Sequence, residues 1–322
     1  MHTGKLTPPA GMTATSLLYP AALCAFMVHH GLSKKSLAPS GALAATFVGL
    51  GTFTNSPYVF GSVLLTFYLS SSRLTKFKSQ IKKTLEEDHV EGGGRTAIQV
   101  FSNGAVGAAL ALTFQYIYWT TESRPATLFM SDWRASTVLF AYIGHYACCN
   151  GDTWASELGI LNKSWPTLIT TLKKVPPGTN GGVSPLGLGA SFAGGLLIGV
   201  TAAISVLAQL ALEAPVTWQS SKGWTGLDVL VSSLDAKFFL ALILAGSGAG
   251  FFGSLLDSLL GATVQKSNYS TKKKVITYKA PEKDDEIKAI SGLDILDNHQ
   301  VNFFSSLIIA LTTGYLSWKA FW

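Results

Sequence analysis

Residues 183–212 read VSPLGLGASFAGGLLIGVTAAISVLAQLAL, thirty positions without a charged side chain. A helix needs about 20 mainly apolar residues to cross a bilayer, and this run exceeds that. Further apolar runs occupy 14–32, 38–55, 57–72, 98–119, 135–151, 236–261 and 303–321. The 322 residues are 48% hydrophobic and 13% charged, against about 25% charged in soluble domains. Mean hydropathy is +0.33. The 32 glycines are spread through the apolar runs instead of collecting in linkers. One water-soluble core cannot absorb so many uncharged runs. The expectation is a single all-α domain over 1–322, a polytopic membrane bundle of about eight helices, with six to nine compatible with the pattern.

Charge tests that arrangement, because loops rich in Lys and Arg stay on the cytosolic side. Alternating the eight runs places the connections 33–37, 73–97, 152–182 and 262–302 on one side. They carry 18 of the 24 Lys and Arg residues. The other side keeps Lys5, Arg124, Arg134, Lys222, Lys237 and Lys319. The basic loops are therefore expected in the cytosol, with both termini outside or in a lumen. Segment 73–97 repeats Leu74, Phe77, Ile81 and Leu85 at helical spacing between lysines. It reads as a basic amphipathic helix on anionic headgroups. Segment 262–302 turns from basic KKKVITYK to acidic EKDDE and reads as a charged, solvated hairpin.

Cys24, Cys148 and Cys149 lie in or beside apolar runs and make no disulfide framework. The start carries only Lys5, with neither a cleavage site nor an Arg-rich transit segment, so an endomembrane such as the endoplasmic reticulum is expected. The bilayer is the expected partner, nucleic acid is not, and a homo-oligomer stays open.

The polar motifs all fall at the basic side. In NGDTWASELG, Asp152 stands at the mouth of an apolar run, where an ionisable group costs up to about 2.5–3.5 kcal/mol at membrane depth. An N-cap is the plain alternative, but Ala155 and Ser156 give no capping box. Asp152 and Ser156 share a helical face, whereas Glu157 points away. The two carboxylates can meet one ion only if the helix breaks at 151–153.

In KKVPPGTNGGVS, Gly178, Gly181 and Gly182 permit positive φ and close approach. Thr179, Asn180 and Ser184 precede a long helix whose N-terminal amides form a natural anion cradle. Lys173 and Lys174 add point charges. The plain alternative is a Pro/Gly turn with Ser184 as N-cap. No Gly-Lys-Ser/Thr follows, so this is not a Walker A loop. In GSGAGFFGSLLDSLLGA, Gly246, Gly250, Gly253, Asp257 and Gly261 share one helical face. Small residues there let a neighbouring helix approach closely, and a carboxylate on such a seam wants a cation or a donor. Asp297, Asn298 and Asn302 read as the start of the last helix, and His145 as a packing histidine. No Cys/His spacing fits zinc, and no nucleophile elbow is present. Carboxylates that hold Mg²⁺, with lysines and amides that hold phosphates, are the minimum set for transfer from a nucleoside triphosphate.

Through SKKSLAPSGALAA, SSRLTKFKSQIKK, EGGGRTAIQVFSNG, GDTWASELG, PPGTNGGVS, GSLLDSLLGATVQ and LDNHQVNFFSS, nearly the whole chain resembles the transmembrane protein 19 family. That family is a membrane domain of unknown function that includes the plant phytyl-phosphate kinase. It is distantly similar to the CTP-using dolichol kinases and CDP-lipid synthases. The cytidylyltransferases often carry acidic residues near the position of Ser184, so the resemblance favours a kinase over cytidylyl transfer. It implies a phosphotransferase that uses CTP or another nucleoside triphosphate on an isoprenoid or lipid monophosphate other than phytyl phosphate. In that reading Asp152 and Asp257 hold Mg²⁺. The loop 178–184, with Lys173 or Lys174, takes the phosphates. Glu157 or Asn180 orients the acceptor, and glycine-lined helices take its tail. The rival classes are an ion-coupled carrier with broken helices and a non-catalytic membrane scaffold.

Overall fold

The computed structural model describes residues 14–55, 57–77, 94–121, 125–213, 235–277 and 286–322. Within them the helices are α1 (Ala14–Ser33), α2 (Pro39–Phe53), α3 (Tyr58–Lys76), α4 (Ala97–Trp119), α5 (Pro125–Ser131), α6 (Trp133–Gly159), α7 (Pro185–Glu213), α8 (Ala236–Val264) and α9 (Asn298–Phe321). The protein is mostly helical, and every long helix covers one of the apolar runs. Four of them, α4, α7, α8 and α9, are by themselves long and apolar enough to cross a membrane. Large apolar side chains crowd the outer faces: Phe47, Ile204 and Leu311 are each more than 60% exposed. Water tolerates few such patches on a soluble surface.

α6 is the axial helix. It touches α3, α4, α5, α7, α8 and α9, and its residues 139–151 are buried without interruption. Being wrapped by protein, α6 can carry His145, Asn150 and Asp152 where an outer helix could not. At one end it sits in an aromatic cluster, with Phe60 on Phe114 (4.9 Å), Phe114 on Phe129 (4.9 Å) and Tyr142 edge-on to Phe60 (4.7 Å). The Tyr142 hydroxyl donates to the Phe60 carbonyl at 2.6 Å. At that end Asp132 caps α6, accepting from the Arg134 N–H at 2.8 Å. The hydrogen-bonded Arg134 side chain holds the Asp132 carboxyl below its ordinary range.

At the other end the helices meet backbone to backbone. A Cβ placed on Gly250 of α8 would lie 2.6 Å from the Gly195 Cα of α7. One on Gly151 of α6 would lie 2.7 Å from the Gly250 carbonyl oxygen and 2.9 Å from that of Ser191. Lipid supplies no hydrophobic drive between helices, so such close approach and interhelical hydrogen bonds hold the bundle. The glycine stripe of α8 is therefore a closed seam. This is the close approach that its spacing predicts, and it leaves no groove there for the lipid tail that the reading from the resemblance assigned to glycine-lined helices.

The all-α expectation needs correction in two connections. Strands β1 (Thr167–Leu168) and β2 (Gly182–Val183) pair antiparallel. β3 (Ser267–Ser270), β4 (Val275–Thr277) and β5 (Ile287–Ser291) form a sheet of order β4-β3-β5. β-Branched residues at Val275, Ile276, Thr277, Ile287 and Ile290 favour extended backbone, and Lys274, at φ +59°, turns the β3–β4 hairpin. The segment 262–302 is thus the end of α8 followed by a small sheet, not a plain solvated hairpin. The amphipathic segment expected at 73–97 begins by continuing α3 to Lys76. Its residues 78–93 lie outside the described residues, as does the acidic run of 278–285.

The last helix starts where its sequence signals it. Asp297 Oδ1 accepts from the Gln300 N–H at 2.8 Å, and Gln300 Oε1 accepts from the Asp297 N–H at 2.9 Å. Asp297→Ala is expected to cost about 1 kcal/mol. A midpoint lowered by a few degrees in a detergent melt, restored by Asp297→Asn, would show it.

Candidate functional site

The basic connections gather at one end of the bundle. Leu37 bridges to Arg95, Lys76 Nζ donates to the Lys34 carbonyl, and the 176–184 loop is tied to β3 and β5. Asn150 of α6 organises this end. Its Oδ1 accepts from Ser70 Oγ (2.8 Å) and Ser71 Oγ (3.1 Å) of α3, and its Nδ2 donates to the Gly194 carbonyl of α7 at 2.8 Å. A buried amide with three such bonds ties three helices in one register. Trp154 Nε1 donates to Ser70 Oγ at 3.4 Å.

Asp152, two residues on, faces α8, and its Oδ1 accepts from Ser254 Oγ at 3.5 Å. Asp257, one turn beyond Ser254, faces α9. Its Oδ2 accepts from Ser305 Oγ at 2.9 Å. With its amide oriented as its neighbours require, Asn302 Nδ2 also donates to Asp257 Oδ2 (3.2 Å) and to the Asn298 carbonyl (3.1 Å). The two carboxylates are half-buried and lie within electrostatic reach of each other. Like charges so placed are costly unless a cation neutralises them. Asp152 Oδ2 and Asp257 Oδ1 bond to no described residue, while the other oxygen of each is held by a hydroxyl. Mg²⁺ uses one or two carboxylates, substrate phosphates and retained waters instead of an all-protein cage. Two oriented carboxylates fit that demand, and no larger His/Cys/Asp/Glu cluster occurs among the described residues.

Gly253 makes the meeting possible. A Cβ there would fall 2.6 Å from Cys148 Sγ, so only glycine lets α8 lie against α6 between the two aspartates. α6 runs unbroken through 151–153. Five residues at about 100° each carry Glu157 to a different side from Asp152, where it makes contacts of its own. Gly151 is thus a packing residue and not a hinge.

The 176–184 loop packs just beyond Asp257. Gly181, at φ +79°, leaves room for Ala262 and the Ser258 carbonyl, and Gly178 takes φ +86°. Gly182 lies in β2. Much of the loop's polarity is spent on its own fold. Thr179 Oγ1 donates to the Pro176 carbonyl (2.7 Å), the Gly182 N–H to the Thr179 carbonyl (3.0 Å) and the Asn180 N–H to Ser267 Oγ (3.0 Å). Ser184 Oγ accepts from the Gly187 N–H at 3.1 Å and so caps α7. The N–H groups of Gly178 and Gly181 bond to no described residue. Lys173 is exposed, and Lys174 Nζ donates to the Trp165 carbonyl (2.8 Å) and Thr167 Oγ1 (3.1 Å). His145 is buried, with Nε2 3.0 Å from the Asn103 carbonyl.

Sequence reasoning singled out both aspartates but missed their donors. Ser254 lies one helical turn before Asp257, a spacing that gives a signal. Ser305 and Asn302 come from another helix, and nothing in their local sequence points to Asp257.

Residues 22–310 match the family described as integral membrane protein DUF92. The chain is 36% identical to Protein PGR of Arabidopsis thaliana over 306 residues, covering 94% of this chain and 96% of that one. An uncharacterised membrane protein of Synechocystis is 29% identical over 72% of this chain and 73% of its own. One of Methanocaldococcus jannaschii is 24% identical over 70% and 74%. No solved structure matches.

Proposed function

The chain belongs to the DUF92 integral membrane family, and from that premise we propose a multi-pass membrane phosphotransferase. It moves the terminal phosphoryl group of a nucleoside triphosphate, CTP or another, to an isoprenoid or lipid monophosphate. The observation that carries the reading is the convergence of Asp152 and Asp257 from two helices, with the amide-bearing loop packed just beyond them. In the reading all eight long helices cross the bilayer. The end bearing the motifs faces the cytosol of an endomembrane such as the endoplasmic reticulum, as the distribution of Lys and Arg favours.

In the transfer an oxygen of the acceptor monophosphate bonds to the terminal phosphorus while that phosphorus loses its bridge to the nucleoside diphosphate. A lipid diphosphate and a nucleoside diphosphate result. Bound Mg²⁺ would neutralise the charge on the triphosphate oxygens. Asp152 and Asp257 are the residues to hold it, aimed by Ser254, Ser305 and Asn302. The N–H groups of Gly178 and Gly181, which bond to no described residue, supply fixed dipoles for phosphate oxygens, and Lys173 and Lys174 add charge at the rim. Catalysis of this kind is almost entirely positioning and electrostatic stabilisation.

The test uses the purified full chain in detergent, the four nucleoside triphosphates labelled at the terminal phosphate, and a panel of polyprenyl monophosphates. Label is expected in the lipid diphosphate, dependent on Mg²⁺ and abolished by EDTA. No transfer with any pair would sink the reading.

A further inference from the structure

A cleft unrelated to the glycine seam opens between α1, α2, α3 and α4. Its cavity volume is about 100 Å³. From the end of α2 that bears Phe53, the walls are apolar past Val48, Leu64 and Phe67. At the opposite end stand Tyr68, Arg95, Gln99 and Asn103. The cleft is thus amphipathic along its length.

Arg95 is the unusual element. Its backbone is pinned, its N–H donating to the Ser36 carbonyl at 3.1 Å and its carbonyl accepting from the Ala38 N–H at 3.1 Å. The guanidinium lies 6.0 Å from the centroid of the Tyr68 ring, and Nη1 donates to Ser72 Oγ at 3.2 Å. Among the described residues no carboxylate pairs with it. Burial pushes its pKa below the ordinary arginine value. Among the described residues this half-buried cation meets only a ring and a hydroxyl, and a partly buried charge gains from an anion, for which its planar fork suits a phosphate.

We propose that this cleft binds a single-chain amphiphile, its phosphate monoester head on Arg95 and its tail along α2 toward Phe53. As a binding site it stands on this geometry alone; as the site of the acceptor it rests on the transfer reading above. The two sites share a wall. Ser72, which holds Arg95, follows Ser70 and Ser71, which hold Asn150 two residues before Asp152. Asn103 lines the cleft and accepts from His145 on α6.

Binding is measured without nucleotide, by thermophoresis of the full chain in phosphatidylcholine nanodiscs, with farnesyl monophosphate, farnesol and inorganic phosphate as probes. Farnesyl monophosphate is expected to bind at least tenfold tighter than farnesol, with inorganic phosphate failing to compete. Arg95→Gln should erase the preference and leave farnesol binding unchanged. Ala45→Phe, which narrows the middle of the cleft, should weaken both farnesyl probes alike. Equal affinity for phosphate and alcohol, competition by inorganic phosphate, or a preference that survives Arg95→Gln would each overturn the site. Should Arg95→Gln not fold, the wild-type comparison and Ala45→Phe still decide. Selective binding without phosphoryl transfer retains the site and removes the transfer reading. Transfer undiminished in Arg95→Gln removes the acceptor role.

Discussion

Gly250→Val is expected to yield no monodisperse protein, whereas Gly248→Ala, two residues away on the same helix, should fold normally and melt slightly higher. The atoms that a side chain at 250 would meet are backbone: the Gly195 Cα at 2.6 Å, the Ser191 carbonyl oxygen at 2.7 Å and the Gly195 nitrogen at 2.9 Å. Flexible side chains can swing aside, but helix backbones can only separate. Separation would also strip α6 of its contact at Gly151. Overpacking typically costs about 1–3 kcal/mol where side chains can adjust, and here two helices must move together. That is a large share of a net stability of about 5–15 kcal/mol. A Cβ on Gly248 meets nothing within 4 Å, so alanine there only removes the helix penalty of glycine, about 0.5–1 kcal/mol. Size-exclusion recovery and melting midpoints measure both variants. Wild-type recovery of Gly250→Val would refute the backbone seam.

Asp152→Asn and Asp257→Asn are each expected to lower Mg²⁺-dependent transfer by about 10²–10³-fold, the loss typical of one electrostatic contributor. Asparagine keeps the shape and can still accept from Ser254 or Ser305, so the fold and its melting midpoint should hold. What disappears is the charge that balances a divalent ion, so residual activity should need more Mg²⁺. Ser305→Ala leaves the Asp257 charge but removes its orienting hydroxyl, and about 10–100-fold is the usual cost of such a partner. Glu157→Gln serves as the contrast for the ion site: Glu157 points away from Asp152 on a continuous helix, so a loss through acceptor orientation should come without a raised need for Mg²⁺. Full activity in either aspartate variant would remove the pair from the chemistry. A need for Mg²⁺ raised in Glu157→Gln as much as in Asp152→Asn would mean that the ion site is differently composed.

The helices were readable because uncharged length and turn chemistry are local properties. Asp297 with Gln300 three residues on, Ser184 before Pro185, and the spacing of Gly246, Gly250, Gly253 and Gly261 each act within a turn or two of backbone. The small strands were harder to read. Residues 267–270 carry no alternating pattern, and extended backbone there is settled by pairing with 275–277 and 287–291. Arg95 was harder still, because a lone arginine after three glycines carries no sign of the cleft that it faces.

The sequence by itself determined a membrane-embedded helical chain, the start of its last helix, its glycine face and the two carboxylates at its basic end, but not that α6 runs on past 151 to Gly159. Hydropathy, capping and helical periodicity are carried by neighbouring residues, so one chain suffices to read them. Only the tertiary structure decided that the glycine face is closed by α7 and α6, that α6 is unbroken and leaves Glu157 apart from Asp152, and that Ser305 of α9 holds Asp257. It also decided that Arg95 lies at the head of an apolar cleft. These facts depend on which helix packs against which, a matter of contacts between residues far apart in the chain, and the pattern of any single segment is compatible with many such neighbours.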